Sequence, residues 1–265
     1  MAVIAAHNIG ATEANDLQSE NFPEPFLDED ETYVLKEPLY AYFNHNSDTW
    51  DTEKSTFTAT VRLNEMVVEH DIPVISNVES FDDDDEPVEN HFLGRDQITY
   101  PVQSSNGEHR LFFPKVRVMI MSGGYLEQCL RRAMRDVYRG ARPYTLRESR
   151  EPLRLYLVAD AVYALASHIR SATKQQQNPE GNGPSEYPLR EAMAFMSDEA
   201  VADYVKDQMS IEDVGYDPKE VRLRIFRGDR EIHMDEHGKY EVDIILIDTR
   251  MLREKLPSIV RSVEA

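Results

Sequence analysis

The sequence predicts an α+β fold, and three observations carry that expectation. Period-two alternation and turn residues dominate the first half, apolar positions at helical spacing fill the middle, and three short apolar runs divided by glycine turns precede a last helical pattern. The expected layout is a β-hairpin-rich N-terminal half, a helical middle, and a small C-terminal β-meander with a terminal helix. With 265 residues and 41% hydrophobic composition, the chain can bury a sizeable core as one domain.

Residues 1–31 are acidic and interrupted by Pro23 and Pro25, too polar to offset their ordering entropy, so they predict an extended arm. Phe22, Phe26 and Leu27 are its candidate docking anchors. Residues 32–265 then form the single α+β domain. Within it, Phe57, Ala59, Val61 and Leu63 alternate with Thr56, Thr58, Thr60 and Arg62, the pattern of a half-buried strand, and 66–74 supplies a second strand to close a hairpin. The run 82–86, four aspartates and a glutamate, repels itself too strongly for a ladder and predicts an exposed acidic loop. A second hairpin is expected from 97–103 and 109–113, because Asn106-Gly107 between them supplies the positive φ angles of a tight turn.

A strand over 115–121 ends at Ser122-Gly123-Gly124. From there Tyr125, Leu126, Cys129, Leu130, Ala133, Met134, Val137 and Tyr138 recur at helical spacing, with Arg131, Arg135 and Arg139 as the opposite row. Residues 153–170 follow Pro152 and are apolar on nearly every side in their middle, the expectation for a packed central helix. Residues 175–185, with two prolines and two glycines, predict a flexible loop. Residues 189–209 are helical in pattern with a break at Ser197-Asp198, where Ser197 can cap a new turn. Runs at 221–226, 231–234 and 240–247, parted by Gly228-Asp229 and by 235–238, give the meander, and 250–263 the terminal helix, interrupted by Pro257.

The charge is regional. Residues 1–100 hold 23 acids against four bases, net −19 of the total −20, whereas 110–154 hold eleven bases, ten of them arginine, against four acids. Arginine's planar guanidinium suits bidentate contact with carboxylate or phosphate. An overall charge of −20 repels polyanions, so the arginine segment is expected to meet protein carboxylates, and tight DNA binding is not expected. One cysteine, Cys129, excludes an intramolecular disulfide and a multi-cysteine metal centre. The opening residues lack a basic segment followed by an apolar stretch of signal length, and the longest apolar run, 155–165 broken by Asp160, is short of a membrane span; the expectation is synthesis in the cytoplasm and no membrane partner.

Four groups of residues invite a chemical reading, each beside a structural one. His233 and His237 flank Asp235 and Glu236, a metal-like composition, yet on a strand end and turn rather than a helix face, so no metal is assigned. Ser122-Gly123-Gly124 between strand and helix resembles an anion-binding turn and equally an ordinary helix cap, without the spacing of a nucleotide loop. Cys129 sits on the apolar stripe as a core residue. Asp160 inside an apolar run needs an arginine or hydroxyl partner if buried, most simply a structural ion pair.

No catalytic residue or cofactor is therefore assigned. The expected function is a non-catalytic subunit of a multi-copy assembly, concretely a viral or phage particle component of connector or ring type. Its interaction residues are Arg131, Arg135, Arg139, Arg142, Phe22, Phe26 and Leu27, and its partners other copies of itself and other protein subunits. The alternatives are an acidic regulatory or anti-defence protein that imitates DNA, and an enzyme with a site around Ser122, Asp160 or His233.

Overall fold

The computed structural model describes residues 2–3, 26–27, 32–34, 40–45, 55–70, 72, 74–78, 100–103, 110–112, 117–123, 125–131, 134, 152–165, 186–209 and 221–264. In chain order the elements are β1 (Ala2–Val3), β2 (Phe26–Leu27), β3 (Thr32–Val34), β4 (Tyr40–His45), α1 (Ser55–Glu69), β5 (Val74–Val78), β6 (Tyr100–Gln103), β7 (Arg110–Phe112) and β8 (Val118–Gly123). A π-helical turn (Leu126–Leu130), β9 (Leu153–Val158), a 3-10 turn (Ala159–Ala161), β10 (Tyr163–Leu165), β11 (Glu186–Pro188), α2 (Leu189–Ala194) and α3 (Asp198–Met209) follow. The chain closes with β12 (Val221–Arg227), β13 (Arg230–Met234), β14 (Tyr240–Ile247) and α4 (Thr249–Glu264).

Helices and a mixed sheet thus combine, as the α+β expectation requires, but the sheet is mostly parallel. Its order is β13-β12-β14-β9-β8-β4-β5-β6 with β1 on β4, and only the β12–β13 pair within it is antiparallel. Smaller sheets pair β10 with β11 and β2 with β3 and β7.

Parallel strands need helical crossovers and are covered on both faces, which explains the residue pattern of β8, β9 and β14. One face presents Met119, Met121, Leu153, Leu155, Leu157, Val242, Ile244 and Leu246, continued by Leu223 and Ile225, beneath Leu126, Leu130, α2 and α3. The other presents Val118, Ile120, Tyr156, Val158 and Ile247 beneath Leu63, Met66 and Val67 of α1 and Leu252, Leu256 and Ile259 of α4.

Four expectations change. Residues 56–63 are not a strand but lie in α1: Ala59, Leu63, Met66 and Val67 are buried at i, i+4, i+7 and i+8, a helical stripe that the alternating threonines disguise. Residues 153–158 are not a helix but the strand β9, apolar on both sides because both faces of a parallel sheet are covered. β6 and β7 do not form a hairpin; β6 joins β5 and β7 joins β3. The C-terminal strands do not form a meander either, since β14 pairs in parallel with β12 and not with β13.

That last link has a visible cause. After β13 the chain must cross the start of β12 to reach β12's other side, and Gly238, at φ +151, makes the crossing so close that a Cβ would lie 2.2 Å from the Arg222 nitrogen. Only glycine fits such an approach.

The expected break in the 189–209 helix is present: α2 ends at Ala194, α3 starts at Asp198, and Ser197 Oγ accepts the Ala200 N–H at 3.2 Å. α4 runs through Pro257 uninterrupted, because the amide hydrogen bond that proline cannot make falls on the exposed side. The loops at 82–86 and 175–185 and the turn at 104–107 lie outside the described residues. Among the described residues no helix is long and apolar enough to cross a membrane.

Candidate functional site

An open parallel sheet offers ligands a crevice at the carboxyl ends of its strands, where the strand order reverses. Here the chain goes from β4 outward to β5 and β6 on one side and from β8 outward to β9 on the other, so the reversal lies between β4 and β8, whose ends are in register at His45 and Gly123. Ser122 is fully buried there and Gly123 has φ +82. The next regular element is a π-helical turn of only five residues.

The ionisable groups at the neighbouring strand ends are engaged with backbone. Asp160, just past β9, accepts the Thr249 N–H at 2.9 Å and also the Thr249 hydroxyl, while Asp248 Oδ1 accepts the Met251 N–H at 2.8 Å. Two carboxylates thereby satisfy two of the unpaired N–H groups that begin α4 and lie at the positive end of its dipole. Burial raises the pKa of Asp160, against the pull of the bonds to Thr249. Its partner is thus a hydroxyl and an amide rather than the ion pair favoured from sequence.

Glu127 was missed in the sequence. It lies in the π-helical turn, 6% exposed, where one oxygen accepts the Leu165 N–H at 3.0 Å and the Tyr204 hydroxyl. Burial, then the neighbouring carboxylate, push the Tyr204 hydroxyl far above the ordinary phenol range. Arg131 is half-buried near Glu127, and desolvation lowers its pKa in spite of that charge. The spacing held a signal: Glu127 stands one turn before Arg131, the first arginine of the row expected on the outer side of this helix, yet Glu127 is buried.

His233 is held by Asp235 at 3.0 Å and lies 3.3 Å from Lys206 of α3, which also donates to Asp235 at 2.6 Å. Asp235 Oδ2 accepts the Leu223 N–H at 3.1 Å, so the cluster ties α3 to the β12–β13 hairpin. His237 and Glu236 are exposed and make no part of it. Among the described residues no three His, Cys, Asp or Glu side chains are grouped to hold a metal.

A further charged group lies on the sheet itself. Asp243, 4% exposed, is in register with Arg154 on β9 and Arg224 on β12, and Arg224 binds it through Nε at 2.6 Å and Nη2 at 2.7 Å. Burial raises the Asp243 pKa against that bidentate bond, whereas the same bond raises Arg224, whose guanidinium also stacks 5.5 Å from the Phe226 ring centre.

Of the interaction residues expected from sequence, Phe26 and Leu27 form β2, paired with Val34 and Tyr33 of β3. Phe22, Arg135, Arg139 and Arg142 lie outside the described residues, as does the side chain of Cys129. No family model, curated protein or solved structure matches the chain.

Proposed function

We infer that the protein is a non-catalytic subunit of a multi-copy assembly, of the connector or ring type found in viral and phage particles. The observation that carries this reading is the segregation of charge: net −19 over residues 1–100 against eleven bases and four acids over 110–154. Arg131, Arg135, Arg139 and Arg142 would meet carboxylates of a neighbouring copy, with Phe22, Phe26 and Leu27 as apolar anchors. An acidic wall would also let DNA pass through a ring without holding it. In support, Asp160, Asp248, Asp235 and one oxygen of Glu127 are engaged with the protein's own backbone or hydroxyls.

Native mass measurement tests the reading. A closed complex of several copies is the expected result. A monomer that competes with DNA for a purified DNA-binding protein would replace it with the acidic mimic.

The strand-order reversal between β4 and β8 favours a second reading, a small-ligand or enzymatic site over His45, Ser122 and Gly123. A ligand that protects the protein against heat and is lost on Ser122 substitution would favour it.

A further inference from the structure

α3 and α4 lie on opposite faces of the one sheet, α3 with the Leu155–Ile244 layer and α4 with the Tyr156–Ile247 layer. Each turns a row of charged side chains away from it. On α3 the exposed positions are Glu199, Asp203 and Asp207, spaced i, i+4, i+8, while Val201, Ala202, Val205 and Met209 face inward. On α4 they are Arg250, Arg253, Glu254, Pro257, Ser258 and Arg261, while Leu252, Leu256 and Ile259 face inward. Among the described residues Glu199, Asp203, Arg250 and Arg253 have no ion pair, and Arg261 bonds only the Pro257 carbonyl of its own helix.

The rows match in length as well as in sign. Glu199 and Asp207, like Arg253 and Arg261, stand eight positions apart, about 12 Å of helix. Laid antiparallel, Glu199 meets Arg261 and Asp203 lies between Arg261 and Arg253, with Arg250 beyond. Glu254 is the one acid on the basic surface. At the start of the acidic row, Phe195 stands 69% exposed at the α2–α3 corner, an apolar anchor of the kind that concentrates binding energy.

Complementary rows on opposite faces cannot pair within one molecule, nor can they pair symmetrically in a two-fold dimer. We propose that copies of this chain stack head to tail, the α3 face of one on the α4 face of the next. A heterologous contact of this kind closes into a ring or extends as a filament. This deepens the assembly reading and rests on it.

Charge exchange followed by sedimentation velocity and native mass measurement tests the proposal. Glu199→Lys with Asp203→Lys, and separately Arg253→Glu with Arg261→Glu, each raise the concentration needed for assembly tenfold or more, as does added salt. Mixing the two variants restores assembly, because each then offers the face the other lacks, and the fourfold variant restores it alone. Phe195→Ala weakens it. Near-unchanged melting temperatures and circular dichroism show that the variants fold. If the neutral pair Glu199→Gln and Asp203→Asn also weakens assembly, the result does not depend on the reversed charges being tolerated. A wild-type assembly indifferent to both exchanges, or one lost in both and not regained on mixing, overturns this interface and leaves the assembly reading standing. A wild-type monomer at every concentration overturns both.

Discussion

On one face of the sheet β9 presents Leu153, Leu155 and Leu157, and β14 presents Val242, Ile244 and Leu246, apolar along their whole length beneath α2 and α3. On the other face the same strands place Arg154 and Asp243 at their amino halves beside Arg224, and only the carboxyl halves, with Tyr156, Val158 and Ile247, are covered by α1 and α4. The difference teaches that burial in this sheet follows the helices rather than the strands. Where a helix lies overhead, the strand is apolar. In the amino halves of β9 and β14, Arg154 and Asp243 stand in register on this face, and Arg224 of β12 binds Asp243 through both Nε and Nη2.

Truncation on the two faces should therefore differ in mechanism. Leu155→Ala, in the fully apolar face, leaves a cavity that rigid neighbours cannot fill and should cost about 3 kcal/mol by urea denaturation. A loss below about 1 kcal/mol would mean that this face is loosely packed.

Asp243→Ala removes no comparable volume but leaves Arg224 and Arg154 facing each other across β14, at a cost of about 2 kcal/mol, less than for a fully buried pair because Arg224 keeps 24% of its side-chain surface. The double change Asp243→Leu with Arg224→Met should recover most of that loss, since an apolar replacement needs no desolvation of charge. Failure to recover would show that the ion pair specifies the register of β12 on β14.

The legibility of the fold divides along the same line. Elements whose burial is one-sided were readable: α3 with its Ser197 cap, α4 and β12 fall within a few residues of where periodicity placed them, and β13 and the two-sided β14 were bounded by the turns around them. β9 was not, because a strand apolar on both faces has the pattern of a buried helix. α1 failed for the converse reason, its threonines imitating strand alternation while the deciding residues Met66 and Val67 were assigned to a second strand over 66–74 although they lie in the same helix. Pairing was the least visible. The order of β12, β13 and β14 depends on Gly238 crossing over Arg222, a contact between backbones with no pattern in the residue types. Of the site residues, Asp160 was rightly seen to need a partner, but the partner is 89 residues away and could not be named from sequence.

Asp160 gives the comparison a pH dependence. Its carboxyl stands above the ordinary 3.8 because burial opposes its charge. A carboxyl with a raised folded pKa binds its proton more readily when folded, so its contribution to stability is most favourable at low pH and is lost as pH rises from about 3.8 through the folded value. Asp160→Asn keeps an acceptor for the Thr249 N–H and cannot titrate. Urea denaturation should then show wild type gaining on the variant as pH falls from 7 to about 4.5. A constant difference across that range would place Asp160 in solvent.

The smallest effect belongs to Ser197, on the helix layer that covers the uniformly apolar face. Its hydroxyl accepts the Ala200 N–H, and its carbonyl accepts the Val201 N–H at 2.9 Å, so it is the residue at which α3 begins. The side chain is exposed, and water can replace the lost bond. Ser197→Ala should cost about 0.5–1 kcal/mol, while Ser197→Asp, which keeps an acceptor and adds a charge favourable at a helix start, should cost less or nothing. Asp198 is already anchored to Arg230 at 2.7 Å and Arg227 at 3.4 Å, so the first turn of α3 is held from the β12–β13 hairpin as well as by its cap. Arg230→Ala in the Ser197→Ala background should therefore lose more than the two single changes together, because each support limits the fraying that the other would permit. Strict additivity would show that the hairpin holds the body of α3 but not its start.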